Sequence, residues 1–88
     1  MYVSIDHPND NPNFTIVTVG PLDIWFSYKT PIAYRLDAGI VARQNDWGPT
    51  TGKHLNFVGV PHEARIEGDV FAAQLSAILE RMRLEVSV

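Results

Sequence analysis

Five short strand-like stretches follow one another through the first half of the chain before any helical period appears, and that order constrains the fold most. Phe14 to Val19 alternates strictly as Phe-Thr-Ile-Val-Thr-Val, and Tyr2 to Ile5, Asp23 to Tyr28, Ile32 to Leu36 and Ile40 to Arg43 carry the same β-forming character. Turn-forming residues separate them: the Asn- and Pro-rich loop Asp6 to Asn13, then Gly20-Pro21, Lys29-Thr30-Pro31 and Asp37-Ala38-Gly39. Only after Glu67-Gly68-Asp69 does a helix pattern begin, with Phe71, Leu75, Ile78 and Met82 recurring on one face and Leu79 beside them. Strands in succession followed by a helix predict an α+β fold: an antiparallel meander of about five short strands with one C-terminal amphipathic helix across one face. Leu84 to Val88 returns to a period of two and reads as a last strand, with an extra turn of helix as the alternative. Within the third stretch, Ile24, Phe26 and Tyr28 fall on one side and Trp25, Ser27 and Lys29 on the other. The first side reads as core. Pro31 should break the strand or sit at its edge.

At 88 residues the chain has room for one domain, residues 1–88, with a modest core. A domain of that size buries only about 60–65% of its unfolded surface. Apolar residues make up 45% and charged residues 19%, a folding composition. The net charge of −3, with scattered Lys and Arg, lacks the basic footprint of a nucleic-acid binder. There is no cysteine, so disulfides, thiolate zinc sites and cysteine nucleophiles are all excluded. No apolar run approaches the roughly 18 residues of a membrane span, and the first residues lack a signal pattern, so a cytoplasmic protein without a membrane partner is expected. His7 and the His62-Glu63 pair each lack a companion ligand, and no metal or cofactor is expected. Sheet edges in so small a domain make a homodimer an expectation as well.

The most specific side chains gather in Asn45 to Asn56, Asn-Asp-Trp-Gly-Pro-Thr-Thr-Gly-Lys-His-Leu-Asn. Asp46 to Pro49 reads as a turn, and Thr50 or Thr51 as the N-cap of a short helical turn over Gly52 to Asn56. Backbone N–H groups near Thr51 and the Lys53 ammonium would then face one way, with His54 as a further donor when protonated. The spacing of a phosphate loop is absent, because position 47 is Trp and His54 stands where a magnesium-binding hydroxyl would be. Nucleotide hydrolysis is excluded on that ground. A structural role, in which Thr50, Thr51 and Asn56 satisfy the loop backbone while Trp47 and Leu55 plug the core, stands beside the binding role.

Two strings, Phe26-Ser-Tyr-Lys-Thr-Pro-Ile-Ala-Tyr-Arg35 and Asn45 to Asn56, together with Arg65-Ile66, Phe71 and Leu75, resemble a family of small uncharacterised prokaryotic, phage and plasmid proteins. The resemblance covers about residues 24 to 79, with the first 20 residues outside it, and it departs at Gly48, where the family often carries Ser. It implies a setting, small accessory proteins carried on mobile elements, and no reaction. The leading expectation is therefore a non-enzymatic module that engages a host or phage protein through Trp47 to Asn56, with Trp25 as a further contact. A small-anion or nucleotide binder using Thr50, Thr51, Lys53 and His54, with Trp25 or Trp47 stacking a base, is the alternative. An enzyme with His54 as general base is a third, for which Asp46 is the only nearby carboxylate.

Overall fold

In the computed structural model, residues 2–37 and 39–87 are described, the last five of them, 83–87, as backbone alone. Five strands, β1 (Val3–Asp6), β2 (Phe14–Val19), β3 (Leu22–Ser27), β4 (Thr30–Leu36) and β5 (Gly39–Ala42), form one antiparallel sheet in the order β1-β2-β3-β4-β5. Helices α1 (Pro49–Val58) and α2 (Gly68–Ser87) follow. The fold is α+β, and the meander runs as the alternation predicts.

Two differences from the sequence reading matter for function. The first is α1, a ten-residue helix where only a short helical turn over Gly52 to Asn56 was expected. Pro49 starts it, its fixed φ suiting the first helical position, and Gly48 is the N-cap without a side-chain bond, so neither Thr50 nor Thr51 caps. Gly59 ends it in the left-handed region, its N–H donating to the Leu55 carbonyl at 3.2 Å. The second is that α2 is not alone: each face of the sheet carries a helix. Alternation along β3 sends Leu22 and Ile24 to one face, where they pack with Tyr34 against Phe71, Leu75 and Ile78 of α2. Trp25 goes to the other face, in a cluster with Phe14, Ile32, Ala33, Ala42 and Leu55 of α1. Burial of Phe71, Leu75 and Ile78 is worth roughly 1.5–3 kcal/mol each before entropy is subtracted, whereas Leu79 beside them stays exposed.

Pro31 does not end its strand. The register shifts between Trp25 and Phe26, which face Ala33 and Pro31, and the residue left over is Ile32. That bulge tolerates the missing Pro31 N–H and turns both Ile32 and Ala33 into the α1-side cluster. At the chain's end the backbone is helical through Ser87, so the extra turn of helix forms there and not the strand that the period of two favoured. No Gly or Pro follows Gly68, so nothing in the sequence stops the helix. Val88 lies outside the described residues, as does Ala38 of the β4–β5 turn.

The two sheet edges differ. A parallel bridge between Arg43 and Ile66, with Ile66 N–H donating to the Ala42 carbonyl at 2.9 Å and Gln44 N–H to the Ile66 carbonyl at 2.8 Å, covers the end of β5. β1, at the opposite edge, leaves Val3 and Ile5 exposed.

Candidate functional site

The β3–β4 turn and the start of α1 meet above the sheet. Val19 pairs with Leu22 across Gly20-Pro21, and Ser27 pairs with Thr30 across Tyr28-Lys29. Both two-residue turns begin with a left-handed residue, Gly20 at φ 58° and Tyr28 at φ 57°. Glycine takes that conformation freely. A tyrosine there is strained by about 1–3 kcal/mol, held by its N–H donating to the Asn13 carbonyl at 2.7 Å. Its side chain stays exposed.

Across from it, Trp47 is also exposed yet firmly held. Its N–H donates to Asn45 Oδ1 at 2.9 Å, and Asn45 Nδ2 donates to the Gly48 carbonyl at 3.2 Å. The Arg43 guanidinium lies 4.5 Å from the centre of the indole, a cation–π arrangement, and Arg43 is itself paired with Asp46 at 2.7 Å. Gly68 makes this packing feasible, since a Cβ there would collide with the Arg43 guanidinium.

Beneath these aromatics runs a chain of buried polar groups. Ser27 Oγ lies 2.7 Å from His54 Nδ1 and 3.0 Å from Thr51 Oγ1, and His54 Nε2 lies 3.4 Å from Asn11 Nδ2. Its polarity follows from Asn11. Because Asn11 Oδ1 accepts the Asn13 N–H at 2.9 Å, the amide turns its NH2 toward His54. Nε2 is then the acceptor, Nδ1 carries the proton and donates to Ser27, and either hydroxyl of the Ser27–Thr51 pair can donate to the other. The imidazole also stacks on Phe14, ring centres 4.6 Å apart and planes within 2°. This network fastens α1 to β3. In that tautomer Nδ1 donates to Ser27 Oγ and does not accept its proton.

Burial holds the His54 imidazole below its usual pKa of 6.5. The sign of the pH effect follows: the unfolded chain takes up the proton more readily than the folded one, so stability is full above about pH 6.5 and declines as pH falls toward the folded value. Urea unfolding of the wild type should therefore show a falling midpoint below that pH. The His54→Gln variant should lose that component of the dependence; an equal decline in both would remove His54 as its source.

Two adjoining clefts open onto the surface here. One, of about 360 Å³, lies between Ser27, Tyr28 and Thr30 on one side and Trp47 to Thr51 on the other. The second, of about 280 Å³, lies between Pro8, Asn9 and Asn11 and the outer side of α1, where it meets Lys53, His54 and Phe57. Thr50 lines both. Tyr28, Trp47 and Phe57 are 54%, 48% and 55% exposed, so three half-exposed aromatic rings line these two clefts.

A sequence-family model described as a family of unknown function, DUF8033, matches residues 4–72. The chain belongs to this family. The match to DUF8033 starts at residue 4, so the first 20 residues, expected to lie outside the resemblance, are almost all within it. It takes in all five strands, α1 and the first turn of α2. No curated protein and no solved structure matches the chain.

Five of the seven residues singled out from the DUF8033 sequence line the clefts, in two groups. Trp47, Thr50 and Lys53 stand on the surface at the clefts, while Thr51 and His54 lie at their floor, buried in the polar network. Trp25 is only 7% exposed, within the core under α1, because Ser27 and Trp25 share the face that α1 covers. Asn56 lines neither cleft; its Oδ1 accepts from Arg65 Nη2 at 3.1 Å, while Arg65 Nε donates to the Val60 carbonyl at 3.0 Å. Ser27, Asn11, Tyr28 and Phe57 were not found by sequence reasoning. The available signal was a serine two residues beyond Trp25, on the same face of β3 as the indole. Among the described residues no group of three His, Cys, Asp or Glu converges as a metal site would, and no helix is long and apolar enough to cross a membrane.

Proposed function

We propose that this DUF8033 protein is a non-enzymatic binding module that engages a protein partner through the face formed by the β3–β4 turn and the outer side of α1. The carrying observation is the set of three half-exposed aromatic rings, Tyr28, Trp47 and Phe57, around two adjoining clefts. Aromatic anchors dominate interface energetics, and rings already fixed by their neighbours lose little freedom on binding. Trp47 is fixed by Asn45 and Arg43, and Tyr28 is presented at the cost of backbone strain. The polarity of the Ser27–His54 contact argues against acyl transfer, and the commitment of Thr51 and His54 to Ser27 leaves few groups to hold a phosphate. In keeping with the resemblance read from the sequence, the setting we infer is a phage or other mobile element, with the partner in the host cytoplasm.

Capture from host lysate by the tagged protein, compared with Trp47→Ala and Tyr28→Gly, tests the reading. Each variant should lose the partner by tenfold or more, since hot-spot aromatics are worth about 2 kcal/mol or above. Tyr28→Gly should also unfold at a higher urea concentration than the wild type, because glycine relieves the positive φ. Undiminished capture by both folded variants would sink the proposal.

A further inference from the structure

The charges around this face point to the chemistry of its occupant. The chain has two lysines, Lys29 and Lys53, against ten acids and a net charge of −3. Both are on this face. Lys29 follows Tyr28 and precedes Thr30, two residues that line the first cleft, and Lys53 lines the second. Each is exposed, and neither forms an ion pair among the described residues. A third cation, Arg43, lies against Trp47. Of the nearby acids, Asp46 is held by Arg43, and Asp10 stands beside Asn9 at the outer rim of the second cleft. On an acidic protein, having both lysines in the segments that form these clefts, Lys53 at the second and Lys29 in the turn beside the first, makes this face richer in positive charge than the rest of the chain.

Resting on the reading above, we propose that the occupant is an acidic segment of the partner protein, with carboxylates meeting Lys29 and Lys53 and apolar side chains set between Tyr28, Trp47 and Phe57. Electrostatic complementarity at an exposed rim selects partners and speeds encounter. Single-stranded nucleic acid also uses aromatics with cations, but it draws its affinity from many phosphate contacts. Two lysines on a chain of net charge −3 supply few such contacts, and Trp47 already carries Arg43 on one face of its ring.

The test is a selection of random twelve-residue displayed peptides on the wild-type protein, with counter-selection on Trp47→Ala. Selected peptides are then titrated by Trp47 fluorescence alongside a twelve-residue oligothymidylate. Asp and Glu should be enriched among the peptides and interleaved with apolar residues. Affinity should fall about fivefold to tenfold in Lys29→Gln/Lys53→Gln, as two rim charges of roughly 0.5 kcal/mol or more each require. It should survive in Lys29→Arg/Lys53→Arg, and it should weaken with added salt. Peptides that depend on Trp47 but show no acidic enrichment would overturn this inference while leaving the docking face in place. Failure to select any Trp47-dependent peptide would count against both. Tighter binding of the oligothymidylate would replace the peptide with single-stranded nucleic acid.

Discussion

Trp25→Ala should be the most destabilising change on the α1 side of the sheet, lowering the urea midpoint well below that of the wild type. The indole is 7% exposed and is packed among Phe14, Ile32, Ala33, Ala42 and Leu55 beneath α1. Truncating a buried aromatic to alanine costs about 3–5 kcal/mol, because a cavity remains where the ring was. A domain of this length has only roughly 4–13 kcal/mol in total. Urea unfolding followed by far-ultraviolet circular dichroism measures the loss. Trp47→Ala is the control: the ring is 48% exposed, so the change should stay within about 1 kcal/mol. In the Trp47→Ala background Trp25 is the sole tryptophan, and its emission should be that of a buried indole. A Trp25→Ala protein as stable as the wild type, or a water-exposed emission from Trp25, would contradict the packing of α1 on the sheet.

The second large effect is expected on the other side of the sheet. Phe71 is 1% exposed and sits in the first turn of α2, its ring 5.6 Å from that of Tyr34 and packed with Leu22 and Ile24. Phe71→Ala should also cost about 3–5 kcal/mol and reduce helical content by releasing α2. The sheet lies between the two clusters, and Trp25 and Phe71 share no neighbour in either. Milder changes at the two positions, Trp25→Phe and Phe71→Leu, should therefore add to within about 0.5 kcal/mol when combined. A coupling well above that would mean that the two faces respond as one core.

The strands and α2 were legible because their inward faces are apolar at a regular period. Phe14 to Val19 alternates, and Phe71, Leu75 and Ile78 repeat at helical spacing. α1 was legible only as a short helical turn over Gly52 to Asn56, for the opposite reason. Its inward face is Thr51, His54, Leu55 and Val58, half of it polar. Thr51 and His54 are compatible with burial only because Ser27 is waiting for them, 24 and 27 residues earlier in the chain. No local pattern reveals such a partnership. The same distance hid Ser27 and Asn11 from the search for a site. The bulge that turns Ile32 and Ala33 to one side likewise depends on where β3 places its partners. What the sequence did disclose was the segment: Trp47, Thr50 and Lys53 were singled out from side-chain chemistry, and they stand at the clefts.

The strand order has a kinetic meaning. Every strand pairs with its neighbour in sequence, so each closure spans only a short loop and sacrifices little chain entropy. Such a sheet can assemble hairpin by hairpin in the direction of synthesis, with rates nearer those of locally connected folds than of β-sandwiches. The long-distance steps are left for last: the bridge from Arg43 to Ile66 and the docking of the two helices. The cleft between α1 and the β3–β4 turn exists only once α1 has docked on the sheet. A chain whose sheet has formed before α1 docks therefore lacks that cleft.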